Sequence, residues 1–548
     1  MTSETEPSQS DVNQPDVNQP DVNQLGVNQL GVNQTGAKHS ERFFLNVLWS
    51  WVATGTGIFT AVILSPYLIH KLGDERYGIW TLTFALLEYV FMFDLGFRSA
   101  IVNSISRSRV HQDAAAINEI LNTALVYFCS IALFVIAFST LFAGQVLRYF
   151  HIAPAHQADF VFLIRLIGFT WAVGIVSNAF QASLEASQNF KSINRIMALT
   201  MLLRAGGSAL LLYLGFGLMG LGILVTGSQC LGYILIFLTF RRTYGAFRFS
   251  RHLFKIQRWK EMAAYGVHSF TAAIGLLFLN QGPPVLIGHY LSEAFVGYYS
   301  LPSKLLQYMV EMVTRIGFVT VPKTAELLAA GAYEQIVRLG IYLNRYCLAL
   351  FMPLSVFIIV FGRELIQRWI GPTYALYGAP ILPIFAVSML LAVAGQFNSG
   401  QILFGMAKHR DYSRSLIIES IAAVAGMVWV LPRYGIVGAA WVSCTLMLVN
   451  RGLLTPWMVC SNLGYRYSSY MSGIYVRPIL TLLPVLAFAV WMKHFWIAGA
   501  TWPQLLTAAS SIAALCLGLS YFTVLESQHR VVMWDSIRSR LGMARLYS

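Results

Sequence analysis

The sequence predicts an all-α polytopic membrane protein of about 14 transmembrane helices, in two pseudo-symmetric six-helix lobes followed by two C-terminal helices. Three observations predict it. Apolar segments follow one another from Phe43 to about Thr523, and many reach the roughly 20 residues that a helix needs to cross a bilayer. The chain is 56% hydrophobic and only 11% charged, with mean hydropathy +0.60, whereas a soluble domain carries about 25% charged residues. Finally, the pattern of the first half returns in the second.

Residues 1–41 differ from the rest. From Asp11 to Thr35 a five-residue unit built on Val-Asn-Gln repeats, polar and punctuated by Pro and Gly. Such a segment cannot bury a core and is expected to be a disordered cytoplasmic tail. It lacks the basic start, short apolar run and small-residue cleavage site of a secretory signal, so the first apolar segment is expected to be an uncleaved anchor. The predicted helices are 43–69, 77–101, 118–143, 159–183, 195–216, 219–240, 263–290, 294–320, 339–361, 376–404, 412–431, 436–460, 475–494 and 502–524. They group as an N-terminal lobe 42–241, a basic cytoplasmic linker 242–262, a C-terminal lobe 263–461, helices 13 and 14 within 462–525, and a basic cytoplasmic tail 526–548.

The formal net charge of +14 invites a nucleic-acid reading, but its distribution excludes one. Alternate loops collect the basic residues: Arg107 and Arg109, the run from Arg241 to Lys260, Lys408 and Arg410, and the tail to Arg545. The opposite loops hold few, among them Lys71, Arg76 and Arg148. Short loops rich in Lys and Arg face the cytoplasm, which places both termini there and requires an even number of helices. The Arg241 to Lys260 cluster is read as a solvated loop that can also meet anionic lipid headgroups.

The repeat has an offset near 218 residues. Pro66, Tyr67, Leu68 and Ile69 are echoed by Pro284, Val285, Leu286 and Ile287. Gly217, Gly220 and Gly222 are echoed by Gly435, Gly438 and Ala440, and Gln181 by Gln401. Each unit holds an even number of helices, so both enter the membrane from the same side. Parallel repeats of this kind are common in transporters, with sites near the repeat interface.

Charges within the apolar segments are costly and mark pathways or ion pairs. Helix 8 carries Lys304, Glu311 and Arg315 near one face, with Tyr308 between them. Arg204, Arg165, Arg345 and Arg451 lie in other segments, as do Glu88, Glu419 and the spaced pair Asp94 and Arg98. Asp94 with Arg98, and Glu311 with Arg315, are expected as boundary ion pairs, with Arg98 and Arg345 able to snorkel. Lys304 and Arg204 fall near mid-depth and are the leading candidates to line a cavity, followed by Arg165, Arg315 and Arg451. A surplus of cations suits a polyanion such as a diphosphate, which Arg grips with two bonds and Lys meets as a point charge. Helix 7 is interrupted by Asn280, Gln281, Gly282, Pro283 and Pro284, where two missing backbone donors predict a kink or unwound hinge. His268 is expected to be a core residue. The six cysteines are dispersed, with no metal-ligand spacing, so no metal is expected. No Walker motif is present, which excludes ATP as the direct energy source, and no cofactor is expected.

One stretch is more specific. Leu72 to Trp80 reads LGDERYGIW, and Phe93 to Phe97 reads FDLGF. This pattern resembles the polysaccharide-biosynthesis or O-antigen (Wzx-like) flippase family of the multidrug/oligosaccharidyl-lipid/polysaccharide exporter superfamily, over roughly residues 43–460. The resemblance implies a fold like that of multidrug (MATE) and lipid II flippases: two lobes in a V around a central cavity. It implies a non-enzymatic activity, the flipping of an undecaprenyl-diphosphate-linked oligosaccharide across the bacterial inner membrane by alternating access, for O-antigen or exopolysaccharide synthesis. Partners would be that lipid-linked glycan, membrane lipid, and a polysaccharide polymerase or glycosyltransferases. Asp94 to Gly96 reads as structural, at a helix end. The alternative is a MATE-like, ion-coupled exporter of drugs or other small molecules. Such exporters need a membrane carboxylate early in a lobe, and helix 1 carries none. A membrane enzyme would need a catalytic carboxylate pair or a sizeable outer loop, and the outer loops are short.

Overall fold

The computed structural model describes residues 61–94, 96–110, 113–245, 247–317, 320–496, 501–527 and 529–531, together with 55, 57 and 58. The Val-Asn-Gln repeat, the start of the first predicted helix and most of the basic tail lie outside the described residues. Among the described residues there are helices and no strand.

The chain order begins with α1 (Ala61–Leu72) and α2 (Asp74–Glu88). A 3-10 segment Tyr89–Asp94 then leads into α3 (Phe97–Val110). α4 (Ala114–Leu141), the short α5 (Ala143–Tyr149), α6 (Gln157–Ala186), α7 (Phe190–Tyr213) and α8 (Gly217–Thr243) complete the first half. The second half runs α9 (Ile256–Tyr290), α10 (Glu293–Gly317), α11 (Thr320–Ala329), α12 (Tyr333–Trp369), α13 (Pro372–Tyr377), α14 (Ile381–Val393), α15 (Gly400–Gly405), α16 (His409–Met447) and α17 (Thr455–Leu463). π-helical turns at Ala394–Ser399 and Leu448–Leu454 join α14 to α15 and α16 to α17. α18 (Tyr467–Trp496) and α19 (Trp502–Thr523) close the order.

Among the described residues, ten helices are long and apolar enough to span a membrane, and the bent pair α2–α3 makes eleven. The run His409–Leu463 is one of the ten, but it supplies two antiparallel spans. Gly435 leaves the helical region at φ 58°, ψ −151°. A Cβ on Gly426 would stand 2.9 Å from Val442, a contact only a folded-back hairpin allows. With α10 and the described part of the first segment, this architecture is compatible with fourteen spans.

The two halves share local geometry as well as order. The turn into α8 places Gly217 at φ 60°, and the hairpin turn in α16 places Gly435 at φ 58°, 218 positions later. Gln188 before α7 and Ala407 before α16 both sit at φ 57°. L-residues rarely adopt this left-handed region. Its recurrence at one offset comes from the same turn being built twice.

Local caps follow from sequence. Asp113 accepts from the Ala116 N–H at 2.9 Å at the start of α4, and Thr501 and Gln504 form a capping box on α19. α4, α6, α7 and α8 pack together in the first half, and α12 packs with α14, α18 and α19 in the second. α9 packs along α16, and α2 lies against α10. The segment between α8 and α9 is held on α4 by side chains. Asn118 accepts from the Arg248 N–H at 3.1 Å, Asn122 from the Ser250 N–H at 2.7 Å, and Thr123 from the Lys255 N–H at 3.2 Å.

The expected unwinding at Asn280 to Pro284 is corrected: α9 is continuous through Pro283 and Pro284. The prolines do remove two backbone donors. Gly282, Pro283 and Pro284 are buried, however, and close packing against α16 holds the helical dihedrals without those bonds.

Candidate functional site

A cavity lies among α1, α2, α7, α8 and α10. Its volume is about 300 Å³, at the lower end of ligand-pocket sizes. Its wall is mostly apolar and aromatic, with Leu64, Trp80, Phe84 and Leu221. Its charged lining consists of Lys304, Arg204 and Glu88, with Tyr77 and Tyr308 as the phenols.

Helix periodicity positions these groups. Lys304 and Tyr308 are four residues apart on α10, so both side chains leave the same face. Tyr77, Trp80, Thr81, Phe84 and Glu88 follow the three-and-four spacing of one face of α2. Lys304 and Arg204 are both exposed although each sits mid-helix. A cation at that depth is exposed because it faces the cavity. Neither makes an ion pair or hydrogen bond among the described residues. Glu88 is the carboxylate whose charge Lys304 feels, and it accepts a hydrogen bond from Gln281 Nε2 on α9.

The other predicted cations are placed differently. Arg451 does not join the cavity. Its Nε lies 3.3 Å from Glu419, with side-chain exposures of 11% and 2%, and its Nη1 donates to Gln396 at 2.7 Å. Asn450 adds a 2.7 Å bond to the same carboxylate. The reason is the α16 hairpin, which brings Glu419 of one limb beside Arg451 of the other. Arg165 is exposed on α6 and is absent from the cavity wall. The Arg315 side chain lies outside the described residues, as does that of His268. Of the hinge residues, Asn280 is exposed and the others are buried in α9.

One ion-pair expectation and one snorkelling expectation are revised. Arg98 pairs with Glu185 of α6 rather than with Asp94. Asp94 makes no ion pair among the described residues and lies just ahead of α3, a place that agrees with a structural reading of the motif. Beside it Gly96 sits at φ 72°, and a Cβ there would stand 2.6 Å from the Gly266 carbonyl, so only glycine fits between α3 and α9. Arg345 does not snorkel. It is 5% exposed, donates to the Gly473 carbonyl at 2.8 Å and lies 3.5 Å from Glu526.

One end of the cavity is closed by contacts between the two halves. The Tyr298 hydroxyl donates to Asp74 at 2.8 Å, and Trp369 Nε1 donates to the Val62 carbonyl at 2.8 Å. Gly78 of α2 lies so close to α10 that a Cβ would come within 1.7 Å of the Glu293 carbonyl. Sequence reading singled out neither Gln281 as a partner of Glu88 nor Gly78 as a contact. The only signal was a Gln inside an apolar segment and a Gly beside the Tyr77 motif.

Comparison with known proteins agrees with this architecture. The family model described as polysaccharide biosynthesis protein matches residues 44–328. The chain is 18% identical over 418 residues to a Shigella flexneri protein named "Putative O-antigen transporter", covering 75% of this chain and 96% of that one. Among solved structures, the lipid II flippase MurJ in an inward closed conformation matches with TM-score 0.66 at 12% identity, over 86% of this chain and 99% of that one. An inward-facing multidrug resistance MATE transporter of the MOP superfamily matches with TM-score 0.64 at 14% identity, over 74% and 95%. The two structural likenesses establish the fold, and the family-model match spans more than half of the sequence. The chain belongs to the polysaccharide biosynthesis protein family.

Proposed function

We propose that this protein flips an undecaprenyl-diphosphate-linked oligosaccharide from the cytoplasmic to the outer leaflet of a bacterial inner membrane, for O-antigen or exopolysaccharide assembly. The observation that carries the reading is that two cations, Lys304 and Arg204, line one cavity and make no ion pair or hydrogen bond among the described residues. A buried charge is tolerated when it faces water or a counter-ion. Arg98, Arg345 and Arg451 have found protein partners, and Arg165 lies outside the cavity wall. Lys304 and Arg204 are left to meet something that arrives. A diphosphate supplies the missing anion, and its sugars can stack on Trp80 while the polyprenyl tail stays in lipid.

The two halves act as lobes. α2 against α10 closes the end near Asp74, and parting that contact while closing the other end gives alternating access. Both termini face the cytoplasm in this reading, and a polymerase or glycosyltransferases work beside the protein. The MATE-like export of organic cations fits less well, because the cavity has a surplus of positive charge.

The test is glycan export. Lys304→Ala and Arg204→Ala are each expected to lower it about 10-fold or more, since a lost charged hydrogen bond costs about 1.5–3 kcal/mol. Lipid-linked precursor should then accumulate on the cytoplasmic side, and Lys304→Arg should retain partial export. Normal export in both alanine variants and in their double variant would overturn the reading.

A further inference from the structure

We infer that diphosphate binding in this cavity takes up one proton, and that the proton goes to Glu88. The inference rests on the proposed substrate class and adds its linkage to pH. Among the described residues, Lys304, Arg204 and Glu88 are the charged groups lining the cavity, which gives these groups one net positive charge when it is empty. A diphosphate diester brings two negative charges. With Glu88 ionised, the loaded cavity would hold one uncompensated negative charge within the membrane. It would also set a carboxylate against the phosphate that Lys304 has to hold. A proton added to the Glu88 carboxylate makes the loaded cavity neutral and removes the negative charge that Lys304 feels.

The groups around Glu88 permit this exchange. α10 presents Lys304, and the 3-10 segment after α2 carries the adjacent Tyr89; Tyr77, Tyr308 and Arg204 line other parts of the same cavity. α9 presents Gln281, whose Nε2 donates to Glu88 Oε2. An amide is suited to both protonation states. Its NH₂ serves the carboxylate, and after rotation about its last bond its carbonyl oxygen accepts the O–H of the acid. The proton comes from cytoplasmic water, forms an O–H bond on Glu88, and leaves as water regains it when the anion departs.

The experiment is titration calorimetry on the purified full-length protein in detergent. The probe is farnesyl-diphosphate-linked N-acetylglucosamine, measured in PIPES and in Tris at one pH. The binding heat of the wild type should differ between the buffers by the ionisation heat of one proton per ligand bound, and affinity should fall as pH rises. Glu88→Gln keeps an acceptor for Gln281. It should bind with the same heat in both buffers and with affinity independent of pH. Buffer-independent heat from a wild type that does bind would overturn the inference, whether or not the variant folds. Wild type that fails to bind the probe at any pH would instead count against the proposed substrate, a separable failure.

Discussion

Residue by residue, the interior charges divide into those that hold the protein together and those that are kept free. Glu419 belongs to the first kind, since it is nearly inaccessible and takes both Arg451 and Asn450. Removing one partner of a buried pair strands the other charge and costs about 3–5 kcal/mol. Glu419→Ala should therefore lower the melting temperature of the detergent-purified protein strongly. Glu326→Ala, which breaks an exposed pair with Lys323, should leave it unchanged. The sequence showed which residues were charged and roughly how deep they lay. It could not show their partners. Arg98 had a carboxylate four residues away and pairs instead with Glu185, from another helix. Such choices depend on which helix faces touch, a property that one strand of text does not carry. Lys304 and Arg204 were legible because depth alone made them anomalous.

At the scale of single elements, glycine decides where helices turn and how near they come. Gly217 and Gly435 occupy matching left-handed turns. An alanine at either should cost at least about 1–2 kcal/mol, because each sits at a φ that L side chains rarely adopt. Thermal melting of Gly217→Ala and Gly435→Ala checks this. Gly78 is a different case. Its α-helical backbone would accept alanine, but the Glu293 carbonyl would not accept the extra carbon. Gly78→Ala should thus fold yet hold α2 away from α10, raising the reactivity of a reporter cysteine on the cavity wall toward a membrane-impermeant thiol reagent added outside. The helices themselves were well marked in the sequence by length and hydropathy. The prolines of α9 predict a kink or an unwound turn, and the helix runs through them without unwinding. The π-helical turns at Ala394–Ser399 and Leu448–Leu454 left no mark that periodicity could reveal.

For the whole molecule, the proposed cycle requires that the contact between α2 and α10 open and reseal. Asp74 and Tyr298 touch across it. Cysteines at both positions, oxidised to a disulfide, should arrest glycan export, and a reductant should restore it. Export that continues in the cross-linked protein would show that this end need not part. The repeat of the first half in the second was readable as a spacing of motifs. Which contacts join the halves was not, because they are formed by positions such as Gly78 and Trp369 that have no polarity to advertise them.

The stretch from Tyr244 to Lys255 looks like bait for trypsin, given Arg248, Arg251 and Lys255. Its main chain is nonetheless stitched to α4 through Asn118, Asn122 and Thr123. A protease needs several consecutive residues peeled away as an extended strand, so cleavage there should be slow despite the attractive side chains. The same stitching makes the strap inextensible. Any swing of the helix that follows it must pivot at a fixed point on the first half, and the arc of travel is set by the length of α9 rather than by slack in the connection.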